Sequence, residues 1–123
     1  MIKFYPEIIF KAIKNNKPAG AFRLWFLGKN FDNTGSCFIP AKKFRRYLKG
    51  LGIPRGTYTR WITQAVELGL IRRYQTNVYS LTSWECGAAL AGVSSLLSPV
   101  LIPLERFTGK GWLAWVWSGF IKH

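Results

Sequence analysis

The sequence predicts a mainly α-helical fold with a small β-hairpin, and three observations carry that expectation. Apolar residues recur at helical spacing through residues 41–49 and again through 54–68. Two β-type runs, 70–74 and 78–81, flank the polar triplet Gln75-Thr76-Asn77 as the arms of a hairpin would. Of 123 residues, 49% are hydrophobic and only 19% are charged, which suits one domain with a core and an appendage. Wholesale disorder is excluded by the same balance.

Each element follows from local signals. Pro6 suits the first turn of a helix, and Ile8, Ile9, Ala12 and Ile13 supply its apolar stripe. Residues 1–10 hold Lys3 and Glu7 and no small-residue cleavage pattern, so no cleavable signal peptide is expected there. Residues 15–20 read as a loop. A second helix is expected from 21 to 30, with Phe22, Leu24, Trp25, Phe26 and Leu27 too apolar to be exposed all round. Asp32-Asn33-Thr34-Gly35 is a strong turn signal, 36–39 reads as a short strand, and Pro40 opens the next helix.

In that helix Ala41, Phe44, Tyr47 and Leu48 share one face, and Leu51 continues it. Lys42, Lys43, Arg45, Arg46 and Lys49 occupy the rest. Gly50 and Gly52 interrupt the helix, since both tolerate positive φ. Pro54 or Thr57 restarts a helix that runs to Leu68, and Gly69 sits where a C-terminal cap belongs. Ser83 caps a further helix to Val93. Nineteen residues without a charge, 86–104, overlap it, and the end of the chain carries Trp112, Trp115, Trp117 and Phe120.

Charge bounds the function. Eighteen Lys and Arg face five Asp and Glu, a net charge of +13 with a pI of 10.3, which favours a polyanionic partner. Residues 42–73 hold nine of the eighteen cations and a single acid, Glu67. The inventory for catalysis is thin. His123, the only histidine, is the last residue, and Glu7, Asp32, Glu67, Glu85 and Glu105 form no pair at helical spacing. Cys37 and Cys86 lack a Cys-x-x-Cys spacing and a nearby histidine, so they read as reduced structural thiols. No glycine-rich phosphate loop precedes a helix. Neither an enzyme, nor a metal site, nor a cofactor is expected.

On the helix over 54–68, Tyr58, Ile62 and Ala65 point one way, flanked by Trp61, Val66 and Leu68. Thr59, Arg60, Thr63 and Gln64 point the other way, a face able to bond base edges and phosphates. From 21 to 82 the order is helix, short strand, helix, turn, helix and hairpin, the order of a winged helix-turn-helix. The segment Phe31-Asp32-Asn33-Thr34-Gly35-Ser36-Cys37-Phe38-Ile39-Pro40 resembles the loop and strand before the helix-turn-helix in winged-helix domains of phage and plasmid replication proteins. Gly52-Ile53-Pro54-Arg55-Gly56-Thr57-Tyr58-Thr59-Arg60-Trp61-Ile62 looks like their turn and recognition helix. Glu67-Leu68-Gly69-Leu70-Ile71-Arg72-Arg73 is similar to the helix end and first wing strand. Two departures stand out: five cations on the first helix, where acidic and small residues are common, and Gly56 in place of the usual Ser or Arg.

The resemblance implies a winged helix-turn-helix domain with an N-terminal helix over 1–82 and an apolar helical extension over 83–123. It implies that Arg55, Thr57, Thr59, Arg60, Thr63 and Gln64 enter the major groove of double-stranded DNA. Lys42, Lys43, Arg45, Arg46 and Lys49 would lie along phosphates, and Arg72, Arg73, Gln75 and Asn77 would approach the flanking backbone or minor groove. Tyr58 and Trp61 are expected in the core. The implied role is sequence-specific binding in replication initiation or transcription control of a phage, plasmid or other mobile element, in the cytoplasm at the nucleoid.

Three other classes compete. Residues 86–104 are about as long as a short membrane-spanning helix, although Pro99 and Pro103 suit a broken pair of short helices better. A winged helix can also dock a protein, through a homodimer or a partner bound to the aromatic C-terminal region. RNA attracts the same cations as DNA. The expectation for 83–121 is short helices that pack on the N-terminal helix or across a dimer interface.

Overall fold

The computed structural model of the chain describes residues 1–31, 37–94, 99–109 and 111–114. Its elements run β1 (Ile2–Phe4), α1 (Pro6–Lys14), α2 (Ala19–Phe31), β2 (Phe38–Pro40), α3 (Ala41–Gly50) and α4 (Arg55–Leu68). They continue with β3 (Ile71–Gln75), β4 (Val78–Leu81), α5 (Trp84–Ala91), β5 (Val100–Ile102) and α6 (Leu104–Thr108). The molecule is mainly helical with two small antiparallel sheets. The turn expected at 32–35 lies outside the described residues, as do Trp115, Trp117 and Phe120.

Most boundaries have a local cause. Pro6 stands in the first turn of α1, where its missing N–H costs no hydrogen bond. Ile8, Ile9 and Ala12 are buried, whereas Ile13, expected on the same stripe, is exposed. Helix α2 starts two residues earlier than its apolar run suggests, because the Ala21 N–H already donates to the Pro18 carbonyl at 3.1 Å. Gly50 stays in α3, and Gly52 alone takes the left-handed conformation, at φ 84°. Helix α4 begins directly after Pro54 and ends on Gly69, at φ 87°, the left-handed cap expected of it. Ser83 caps α5 by accepting from the Cys86 N–H at 3.2 Å.

The three-stranded sheet has the order β2-β4-β3. Phe38, Ile39 and Pro40 face Ser80, Tyr79 and Val78, and on the other side Ile71, Arg72 and Arg73 face Leu81, Ser80 and Tyr79. A register shift between Arg73 and Gln75 breaks the alternation of β3 near the turn. Ile39, Ile71, Tyr79 and Leu81 turn inward and are buried.

Helix α2 is the hub. Every residue from Ala21 to Gly28 is buried, because α1, α4, β1 and β4 all pack against it. Aromatic rings fill the space beside it. Phe26 lies 5.6 Å from Trp84 and 6.3 Å from Phe107, and Trp25 lies 5.2 Å from Trp84. The Trp25 indole N–H donates to the Thr82 carbonyl at 3.1 Å, so its buried donor is satisfied. Gly87 on α5 faces the Trp25 ring so closely that a Cβ there would overlap it.

Strands β1 and β5 were not expected. They pair antiparallel, with Ile2 opposite Ile102 and Phe4 opposite Val100. Each is three residues long, too short for a periodic signal, and the partners stand far apart in the chain. Pro99 and Pro103 bracket β5 rather than break a helix, positions where no ladder N–H is required. The region expected as short helices therefore contains one strand, and among the described residues no helix is long and apolar enough to cross a membrane.

Arg23 ties the C-terminal stretch to α2. It is 8% exposed, and its guanidinium donates twice to the Phe107 carbonyl, at 3.0 Å from Nε and 2.7 Å from Nη2. Ring centroids of Trp112, Trp61 and Phe107 lie 4.3, 5.4 and 6.0 Å from its central carbon. Burial pulls its pKa down to about 10, so it remains a cation at neutral pH.

Two substitutions test this packing. Gly87→Ala should destabilise by about 1–3 kcal/mol through overlap with Trp25. Gly56→Ala, with open space around it, should stabilise by up to about 1 kcal/mol. Urea denaturation of both variants reads the signs, and a stabilising Gly87→Ala would show that the α5–Trp25 contact is loose. Arg23→Lys keeps the charge and loses the two-pronged donation, so it should cost about 2 kcal/mol. An unchanged denaturation midpoint would remove Arg23 from its place in the core.

Candidate functional site

The site begins with the connection between α3 and α4. Gly52 donates to the Lys49 carbonyl at 3.0 Å and Ile53 to the Leu48 carbonyl at 3.3 Å, which closes α3 and turns the chain. Ile53 is buried and Pro54 then opens α4 with no side chain capping its N-terminus. Between the two helices lies an open cleft of about 520 Å³, lined by Arg45 and Lys49 of α3, the turn 52–54, and Arg55, Tyr58 and Thr59 of α4. Three cations line it and no acid does. The unpaired N–H groups of the first turn of α4 add partial positive charge at the same end. Such a cleft is chemically suited to an anion and offers no nucleophile–base pair.

Arg45 is oriented from below. Its Nη1 donates to the Tyr79 hydroxyl at 2.8 Å, and Tyr79 is 5% exposed in β4. The sheet thus holds one cation of the cleft in place. Sequence patterning marks Tyr79 only as an inward residue of a strand, and nothing local reveals its partner on α3.

Apart from Thr59, the other candidates do not line this cleft. On α4, Thr59, Arg60 and Thr63 are exposed, while Thr57 and Gln64 are half-buried. The Thr63 hydroxyl donates to the Thr59 carbonyl at 3.1 Å, which leaves its oxygen as an acceptor. Lys42, Lys43 and Arg46 are exposed on α3, next to Lys49. On the hairpin, Arg72, Arg73, Gln75 and Asn77 are all exposed. The Asn77 carbonyl accepts from the Ala41 N–H at 2.8 Å, so the hairpin turn abuts the first turn of α3 and its Lys42-Lys43 pair. Tyr58 is buried at 7%, and Trp61 is half-buried against Arg23, so both belong to the core side of α4.

Other chemistry is sparse. Cys37 is half-buried and Cys86 is exposed on α5, so packing does not account for Cys86 as a structural thiol. Among the described residues no group of three His, Cys, Asp or Glu side chains stands close enough to hold a metal ion. Comparison of the chain with protein-family models, with curated proteins and with solved structures finds no match.

The Arg45–Tyr79 contact can be measured on its own. In a double-mutant cycle of Arg45→Ala and Tyr79→Phe, the coupling should be about 0.5–1 kcal/mol, discounted because Arg45 is half-exposed. Additive effects on the urea midpoint would mean that Tyr79 does not position Arg45.

Proposed function

We propose that this protein binds double-stranded DNA in a sequence-specific way, with α4 as the reading helix of a winged helix-turn-helix. The element order α2-β2-α3-α4-β3-β4 and the sheet order β2-β4-β3 support this fold assignment. The observation that carries the functional reading is the cleft where Arg45, Lys49 and Arg55 converge at the start of α4. From there Thr59, Arg60 and Thr63 continue along one exposed face. Cations at the cleft and on α3 attract the phosphates and fix the register, while Arg60, Thr63 and Gln64 meet base edges. Lys42, Lys43 and Arg46 extend the phosphate contact along α3, and Arg72, Arg73, Gln75 and Asn77 reach the flanking backbone or minor groove. The process served is replication initiation or transcription control of a phage, plasmid or other mobile element, at the nucleoid.

The test is a salt titration of binding to a preferred duplex, selected from a random library, and to random duplex. With about six phosphates neutralised, log K should fall with log salt at a slope of about −5. A flat response, or no duplex binding at low salt, sinks the proposal. Arg60→Ala should cost about 1–3 kcal/mol at the preferred site and little on random DNA, whereas Arg45→Ala should weaken both alike. Equal losses for the two variants on every sequence would make α4 a phosphate clamp with no reading role.

A further inference from the structure

The outer face of the three-stranded sheet is the part of this region that phosphate contact leaves unexplained. Phe38, Ser80 and Arg72 stand in one row across β2, β4 and β3. Tyr74 follows on β3, two residues beyond Arg72 and just before the turn. On this face Phe38 is 49% exposed and Tyr74 57% exposed. Their rings come together all the same. Ser80 on the central strand is small, so the two side chains reach across β4 to a centroid distance of 4.9 Å with the ring planes at 58°. Tyr74 lies within the register shift between Arg73 and Gln75.

We propose that Phe38 and Tyr74 form a stacking platform for unpaired bases of a nucleic-acid strand that leaves the duplex held by α4. The inference rests on the duplex reading above and extends it. A flat π-face accepts any base, so such a platform needs no base-edge donors. Charge selects the occupant. Arg72 shares the outer face, Arg73 stands in the row of Tyr79 and Ile39 but is exposed at the edge of the sheet, and the hairpin turn bonds to the start of α3 beside Lys42 and Lys43. A strand with its bases on Phe38 and Tyr74 would have its phosphates among these cations. Within a chain of net charge +13, an apolar protein surface is the poorer fit. The same placement lets the protein favour a duplex whose end is opened, because stacking offsets part of the cost of unpairing.

The experiment uses the full chain and fluorescence anisotropy on four probes: a blunt duplex, the same duplex with a single-stranded oligothymidine tail of about 12 nucleotides, that tail alone, and the oligouridine equivalent. The tail should tighten duplex binding by about fivefold or more, the effect of one or two stacked bases. Tyr74→Ala and Phe38→Ala should each remove most of that gain and leave blunt-duplex binding within about twofold, while Tyr74→Phe, which keeps the ring, should retain it. Comparison of the two tails shows whether DNA or RNA is preferred. No gain from the tail, or equal losses on blunt and tailed duplex, overturns the platform and leaves the duplex reading standing. Loss of self-association in sizing with unchanged tail binding also overturns it, since the face would then belong to a second copy. Binding of the tail that depends on Tyr74, with no duplex binding at low salt, overturns the duplex reading and the tethered platform built on it.

Discussion

The buried guanidinium of Arg23 is the constraint on which the arrangement of this molecule depends. It sits on the central helix and meets α4 through Trp61 and the C-terminal stretch through Phe107 and Trp112. A cation removed from water must recover its solvation from fixed groups. Here the Phe107 carbonyl and the faces of three rings supply it. An aromatic cage costs less desolvation than a buried carboxylate would, and it demands geometry from three separate elements at once. Displacing α6 or rotating α4 would strand the charge. The position of the candidate reading helix is therefore coupled to residues some fifty and ninety positions away from it and from Arg23.

The exposed cations obey a different logic. Between 41 and 82 Glu67, near the end of α4, is the single acid, so the charge that α3, α4 and β3 present to solvent is otherwise of one sign. Their mutual repulsion is screened by water and salt, which keeps its cost to the fold small. What the fold adds is convergence. The turn at Gly52 brings the end of α3 against the start of α4, and Tyr79 holds Arg45 toward the gap. Scattered surface charge becomes a cleft with three cations, and a polyanion is the ligand that such a field attracts most strongly.

Apolar residues toward the C-terminus share in the same core. Ala88, Ala91 and Val93 pack with α1, β5 pairs with β1, and Phe107 lies between Phe4 and Arg23. The Asn15 amide donates to the Ala91 carbonyl at 3.0 Å, a polar stitch between α1 and the end of α5. The described part of the uncharged run 86–104 thus holds a helix, a left-handed Gly92 at φ 97° and a strand, the helix and strand each short enough to bury their apolar side against a neighbour.

The amino-acid sequence by itself determined whatever depends on near neighbours. Proline and glycine placed the ends of α4, the Ser83 hydroxyl placed the start of α5, and the two β-type runs placed the hairpin, because caps and turns are local hydrogen-bond and φ/ψ problems. The polar face of α4 and the cations of α3 were legible from periodicity, since a helix exposes what its apolar stripe leaves over. Tertiary structure alone decided the rest. It paired β1 with β5, set Tyr79 under Arg45, leaned Phe38 onto Tyr74 and buried Arg23 among rings. These contacts join residues distant in the chain, and no local propensity encodes which distant partner a three-residue strand or a lone arginine will find.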